Sequence, residues 1–165
     1  EYCKLHNIAL ASHDDTTEAH VQQAHLEGAS ISEFPTTLLA AQCAQKLGML
    51  NVMGGPNVVR GGSHSGNVAA SELAKHGLID ILSSDYVPSS LLSAAIRLVD
   101  DGIYTLPQAV KTISSNPAKA SKLIDRGEIA VGMRADLIHV SFINMSYKSR
   151  HAVIKSVWRS GDRII

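Results

Sequence analysis

Short apolar runs alternate with helix-length amphipathic stretches through the first two-thirds of the chain. Residues 8–11 form the first run, which ends in the polar string Ser12-His13-Asp14-Asp15. A helix over 16–27 follows, with Asp15 or Thr16 placed to cap it, and Gly28 closes it. Residues 29–32 predict a second strand ending at Glu33-Phe34-Pro35-Thr36-Thr37, and a helix over 37–47 runs up to Gly48. Residues 50–53 predict a third strand that empties into a long loop over 54–67. A helix over 68–75 and Gly77 lead to a fourth strand over 79–83, ending at Ser84-Asp85-Tyr86.

Four strands alternating with four helices predict an α/β fold of parallel βα units. The strands are apolar along their whole length, as strands covered on both faces are. Helices are expected over 91–100, 106–114 and 118–124. The period then changes: residues 135–140 and 152–158 read as strands, and Gly161-Asp162 marks a hairpin turn before 163–165. The chain divides on this reading into 1–124, the βα array with its trailing helices, and 125–165, a small β unit.

Composition narrows the function. The 15 basic and 15 acidic residues cancel and form no basic stripe, which argues against a nucleic-acid partner. No apolar run approaches the ~20 residues of a membrane helix. Two cysteines, Cys3 and Cys43, make no disulfide framework and fit a reduced, cytoplasmic setting. The chain begins at Glu1 without a Met, so an upstream part is expected.

In parallel βα architectures the chemistry sits just past the C-terminal ends of the strands. Four such places carry suitable groups: His13-Asp14-Asp15, Glu33, the 60–67 segment and Asp85. His13 suits a metal ligand, with Asp14 orienting its imidazole; the alternative is that this acidic turn only caps the next helix. Asp85 suits a metal ligand or the acceptor of a water proton, or else a turn aspartate. Glu33 is a ligand, a substrate contact or a helix N-terminal charge. Gly61-Gly62-Ser63-His64-Ser65-Gly66 offers backbone N–H groups and hydroxyls to a phosphate, with Arg60 and Asn67 beside it, or else is a flexible Gly/Ser loop. It is not a P-loop, since no Gly-Lys-Ser/Thr ends it.

The stretches Ser12-His13-Asp14-Asp15-Thr16-Thr17, Ile31-Ser32-Glu33-Phe34-Pro35-Thr36-Thr37, Met53-Gly54-Gly55-Pro56-Asn57, Arg60 to Asn67 and Leu82-Ser83-Ser84-Asp85-Tyr86-Val87-Pro88 together resemble the phosphonate-metabolism protein M family of the amidohydrolase superfamily. The resemblance implies the C-terminal half of a TIM-type (β/α)8 barrel, about four βα units, plus part of a small β domain. It implies hydrolysis of α-D-ribose 1-methylphosphonate 5-triphosphate to the 5-phosphate and diphosphate, with a divalent metal (Zn, Mn or Fe) activating water. His13, Glu33 and Asp85 would be the metal donors. Arg60, Gly61, Gly62, Ser63, His64 and Asn67 would contact the phosphorylated substrate. The first-strand His-x-His pair of the superfamily is absent, so the isolated chain is expected to be inactive. Two open strand edges, near Ile8 and Ile79, are expected to promote homo-oligomers or association with a missing half. An amidohydrolase acting on a C–N bond and an inactive scaffold chain are the rival readings.

Overall fold

The computed structural model describes residues 1–63, 66–146 and 149–165. A short helix α1 (Tyr2–Leu5) precedes β1 (Ala11–His13), α2 (Glu18–Leu26), β2 (Ile31–Glu33), α3 (Leu38–Lys46), β3 (Leu50–Gly54), α4 (Gly55–Arg60), α5 (Ala70–Lys75) and β4 (Ile81–Ser83). The four strands make one parallel sheet in sequence order. Helices α6 (Ser90–Asp100), α7 (Leu106–Lys111) and α8 (Ser115–Ala120) follow. The antiparallel strands β5 (Leu137–Ser146), β6 (Ser149–Arg159) and β7 (Asp162–Arg163) complete the chain.

Several boundaries differ from the sequence expectation for local reasons. The first strand begins at Ala11 rather than at residue 8, because Ile8 N–H is held by the Cys3 carbonyl at 2.8 Å and stays with α1. Thr17, not Asp15 or Thr16, caps α2, its hydroxyl accepting the His20 N–H; Thr37 caps α3 in the same way through Ala40. Asp15 is drawn inward instead. It is only 5% exposed, and its carboxylate accepts the hydroxyls of Ser12 and Ser32 while its carbonyl accepts the Thr36 N–H at 2.9 Å. That knot fastens the ends of β1 and β2 together.

The expected 54–67 loop contains a helix. Gly-Gly-Pro reads as a breaker, yet Pro56 falls in the first turn of α4, where its missing N–H is no loss, and Gly61 closes the helix at φ 81°. Register puts His13, Glu33, Val52 and Ile81 side by side across the sheet. They therefore share one face, and Ser12, Ser32 and Asn51 share the other, beneath the helices. The main core lies on that helical side, where Leu73, Leu78, Leu82 and Leu98 pack among Ala41, Ala70, Ala74, Ala94 and Ala95.

The two strand edges are not alike, which corrects the expectation of two open ones. β1 has no outer neighbour among the described residues. The β4 side is covered by the helices that follow it, because Leu82 N–H donates to the Thr112 carbonyl at 2.9 Å. Asn116 Nδ2 donates to the Asp80 carbonyl and Tyr104 Oη to the Ile79 carbonyl. Farther on, the Asp100 carboxylate accepts the Arg150 N–H and Nε–H at 2.8 and 2.6 Å, tying α6 to the β5–β6 hairpin. Cys43 is buried and Cys3 half-buried, and both are free thiols. No helix among the described residues is long and apolar enough to cross a membrane.

Burial pushes the Asp80 carboxyl above its ordinary range, against the opposing pull of the Asn51 N–H that it accepts at 2.9 Å. A raised folded-state pKa stabilises the fold only while the group is protonated, and that contribution is lost as pH rises through it. Asp80→Asn keeps an acceptor for Asn51 without the charge. The variant is expected to be more stable than the parent at neutral pH, with the gap closing as pH falls through the carboxylate range. Urea unfolding at a series of pH values checks this.

Candidate active site

A cavity of about 230 Å³ opens at the C-terminal ends of the strands. It is lined by Asp14, Phe34 and Pro35 from the ends of β1 and β2, by Met53 and Gly54 of β3, by Pro56 and Asn57 of α4, by Gly62, Ser63, Asn67 and Val68, and by Asp85 and Tyr86 after β4. Five residues expected from the sequence thus face one space: Asp14, Gly62, Ser63, Asn67 and Asp85. His13 stands at its margin, with its ring edge-on to Phe34 at 5.2 Å between centroids and 81° between planes. Its Nδ1 lies 3.0 Å from the Asp14 carboxylate. Asp14 therefore fixes the imidazole and directs Nε2 away from itself.

The backbone is bent sharply at three of these positions. Asp14, Phe34 and Asp85 all adopt left-handed conformations, at φ 59°, 56° and 50°. Aspartate tolerates that region, but a phenylalanine there is an outlier, and such residues cost about 1–3 kcal/mol each and gather at functional sites. The bend comes straight after the strand. Asp14 N–H still donates to the Glu33 carbonyl and Phe34 N–H to the Val52 carbonyl, both at 2.9 Å, so each residue extends the ladder before turning its side chain inward. Gly54 makes room for the result. A Cβ there would stand 3.1 Å from Asp85 Oδ2 and 3.7 Å from Phe34 Cε1.

One side chain organises the wall on the α4 side. The Asn57 carbonyl accepts the N–H groups of Gly61 and Gly62, and its Oδ1 accepts the Ala70 N–H at 3.0 Å at the start of α5. Val68 N–H donates to the Thr36 carbonyl at 2.9 Å, binding the far end of the same segment to the loop after β2. Asn57→Ala is expected to free the first turn of α5 and lower stability by about 1 kcal/mol, the net contribution of one hydrogen bond. Urea unfolding against the parent checks it.

These bonds correct part of the sequence reading. The N–H groups of Gly61 and Gly62 do not cradle a phosphate, because the closing turn of α4 needs them for the Asn57 and Val58 carbonyls. Arg60 does not line the cavity. It ends α4 and borders a neighbouring hollow with Val59, Tyr86, Val87, Ser89 and Ser93. Glu33 pairs with His13 in register yet does not reach the cavity lining. Nor do His13, Glu33 and Asp85 form a cluster: among the described residues no three His, Cys, Asp or Glu side chains are placed to hold one metal ion. His64 lies outside the described residues. Phe34, Gly54, Asn57 and Tyr86 were not singled out in the sequence. The adjoining Gly54-Gly55 was the only local sign of a crowded backbone.

The family model described as "Amidohydrolase family" matches residues 8–165. The chain belongs to the amidohydrolase family. Its sheet is accordingly part of a TIM-type barrel, as the solved structures also indicate. Enamidase, a member of the amidohydrolase superfamily, superposes with a TM-score of 0.73 at 14% identity, over 99% of this chain and 49% of that one. An amidohydrolase from Thermotoga maritima does so with a TM-score of 0.73 at 20% identity, over 96% of this chain and 44% of its own length. Among curated amidohydrolase relatives, the alpha-D-ribose 1-methylphosphonate 5-triphosphate diphosphatase of Escherichia coli is 57% identical over 164 residues. That match covers 98% of this chain and 42% of the relative, so the chain spans less than half the length of that enzyme.

Proposed function

We propose that the chain carries the substrate-wall half of a metal-dependent diphosphatase, which cleaves α-D-ribose 1-methylphosphonate 5-triphosphate to the 5-phosphate and diphosphate. The observation that carries this reading is the 57% identity, spread over 98% of the chain, to an enzyme of that name. The cavity supports it, since Asp85, Asp14, Ser63 and Asn67 converge there.

In the reaction, a water oxygen bonds to the phosphorus nearest the ribose and the bond from that phosphorus to the bridging oxygen breaks, releasing diphosphate. Asp85 is the group that accepts the water proton. The Ser63 hydroxyl and Asn67 amide donate to phosphate oxygens, where charge accumulates. His13, with Asp14 behind it, offers Nε2 as a donor to a metal. Catalytic metal sites take three or more protein ligands, and His13 and Asp85 fall short of that number. The reading therefore places the other ligands outside this segment, and the metal, whether Zn, Mn or Fe, would supply Lewis-acid charge once held.

The full-length protein containing this segment is expected to release diphosphate from that substrate only when loaded with metal, and the 165-residue chain alone to release none. Phosphate analysis after treatment with a pyrophosphatase measures it. Turnover of a cyclic amide by the full protein, with no diphosphate released, would hand the site to a C–N hydrolase.

A further inference from the structure

We infer that Phe34 is a positioning residue for His13, and that its left-handed backbone is held for that purpose; the inference rests on the diphosphatase reading of the site. Three observations meet at this residue, two on its ring and one on its backbone. Its ring receives the His13 imidazole in a T-shaped contact. Its Cε1 lies 3.7 Å from where a Cβ on Gly54 would stand and Asp85 Oδ2 lies 3.1 Å from the same point, so ring and carboxylate border one space beside Gly54. Its N–H continues the β2–β3 ladder through the Val52 carbonyl, so the strand itself sets the point at which the ring enters.

The consequence is geometric. The imidazole is held at Nδ1 by the Asp14 carboxylate and is flanked by the aromatic ring in an edge contact. Asp14 selects which nitrogen is turned away, and Phe34 sets the plane in which that nitrogen points. Neither does so alone, because the His13–Asp14 pair is more than half exposed and water competes for it. A phenylalanine at φ 56° persists only where its surroundings over-determine it. A glycine would follow the same turn without strain, so the ring carries a backbone cost that its contacts must offset.

The test uses the full-length protein, with Phe34→Leu, Phe34→Gly and Phe34→Tyr. Phe34→Leu is expected to lower kcat about a hundredfold, the scale of a misplaced catalytic group, with KM nearly unchanged. Phe34→Tyr, which keeps the ring, restores activity to within a fewfold of the parent. Phe34→Gly loses activity as Phe34→Leu does, yet unfolds at no lower temperature than Phe34→Leu, since it relaxes the backbone. A second readout is independent of turnover. In the parent, the His13 ring-proton resonances are displaced by the neighbouring aromatic ring, and in Phe34→Leu they move to the positions of exposed histidines. Parent-like kcat in Phe34→Leu, or unmoved His13 resonances, overturns the inference, as does a Phe34→Tyr variant as impaired as Phe34→Leu. Absence of diphosphate release from the parent itself counts against the diphosphatase reading instead, and the resonance shift still judges Phe34.

Discussion

Asp85→Asn in the full-length protein is expected to lower kcat for diphosphate release by about 10²–10⁴-fold, the usual contribution of a positioned acid or base. The substitution isolates chemistry from structure because of the backbone at this position. Asp85 sits at φ 50°, a conformation that asparagine enters as readily as aspartate. Its N–H donates to Ser83 Oγ at 3.2 Å, a bond that Asn keeps. The side chains are nearly isosteric, so the close approach to Gly54 is unchanged. What disappears is the negative charge and its capacity to accept a proton. The measurement is kcat and the unfolding midpoint on the same preparation. A midpoint equal to the parent's with kcat also equal would remove Asp85 from the reaction.

The largest effect on stability is expected from Leu73→Ala, a loss of about 2–5 kcal/mol. Leu73 is fully buried in α5. Alanine is the better helix former, so the backbone gains nothing from the leucine. The carbonyl of residue 73 goes on accepting the N–H groups of His76 and Leu78. The cost is therefore the void. The cluster Leu73 belongs to includes Ala41, Ala70, Ala74, Ala94 and Ala95, whose methyls cannot fill a gap, beside the larger Met53, Leu78, Leu82 and Leu98. Leu39→Ala serves as the comparison: Leu39 is 63% exposed, and its truncation is expected to stay within about 0.5 kcal/mol. Urea unfolding of both variants decides the matter, and equal midpoints would contradict the void argument.

The parallel sheet was legible because its signal is periodic: each apolar run is followed by a helical stretch and a glycine, and strand order follows sequence order. The strand-end rule likewise led to Asp85 and Asn67, which depend only on where a strand stops. What stayed hidden depends on single dihedrals and on bonds between distant residues. Nothing in Glu33-Phe34-Pro35 announces that the phenylalanine turns left-handed. Gly61 and Gly62 carry the composition of an anion-binding loop, and only the presence of α4 reveals that their N–H groups are already engaged. Asp15 looks like a cap in one dimension. Its partners Ser12 and Ser32 meet it only once β1 and β2 are paired.

The double grip of Asn57 also bears on how the wall of the cavity is anchored. Asn57 holds both ends of the segment from Gly61 to Ala70, through its carbonyl and its Oδ1, and Val68 N–H adds a further tie to the Thr36 carbonyl. The stretch between them is thus clamped at its start and its end by backbone and side chain of a single asparagine, so Asn57 is the position at which both ends would be released together.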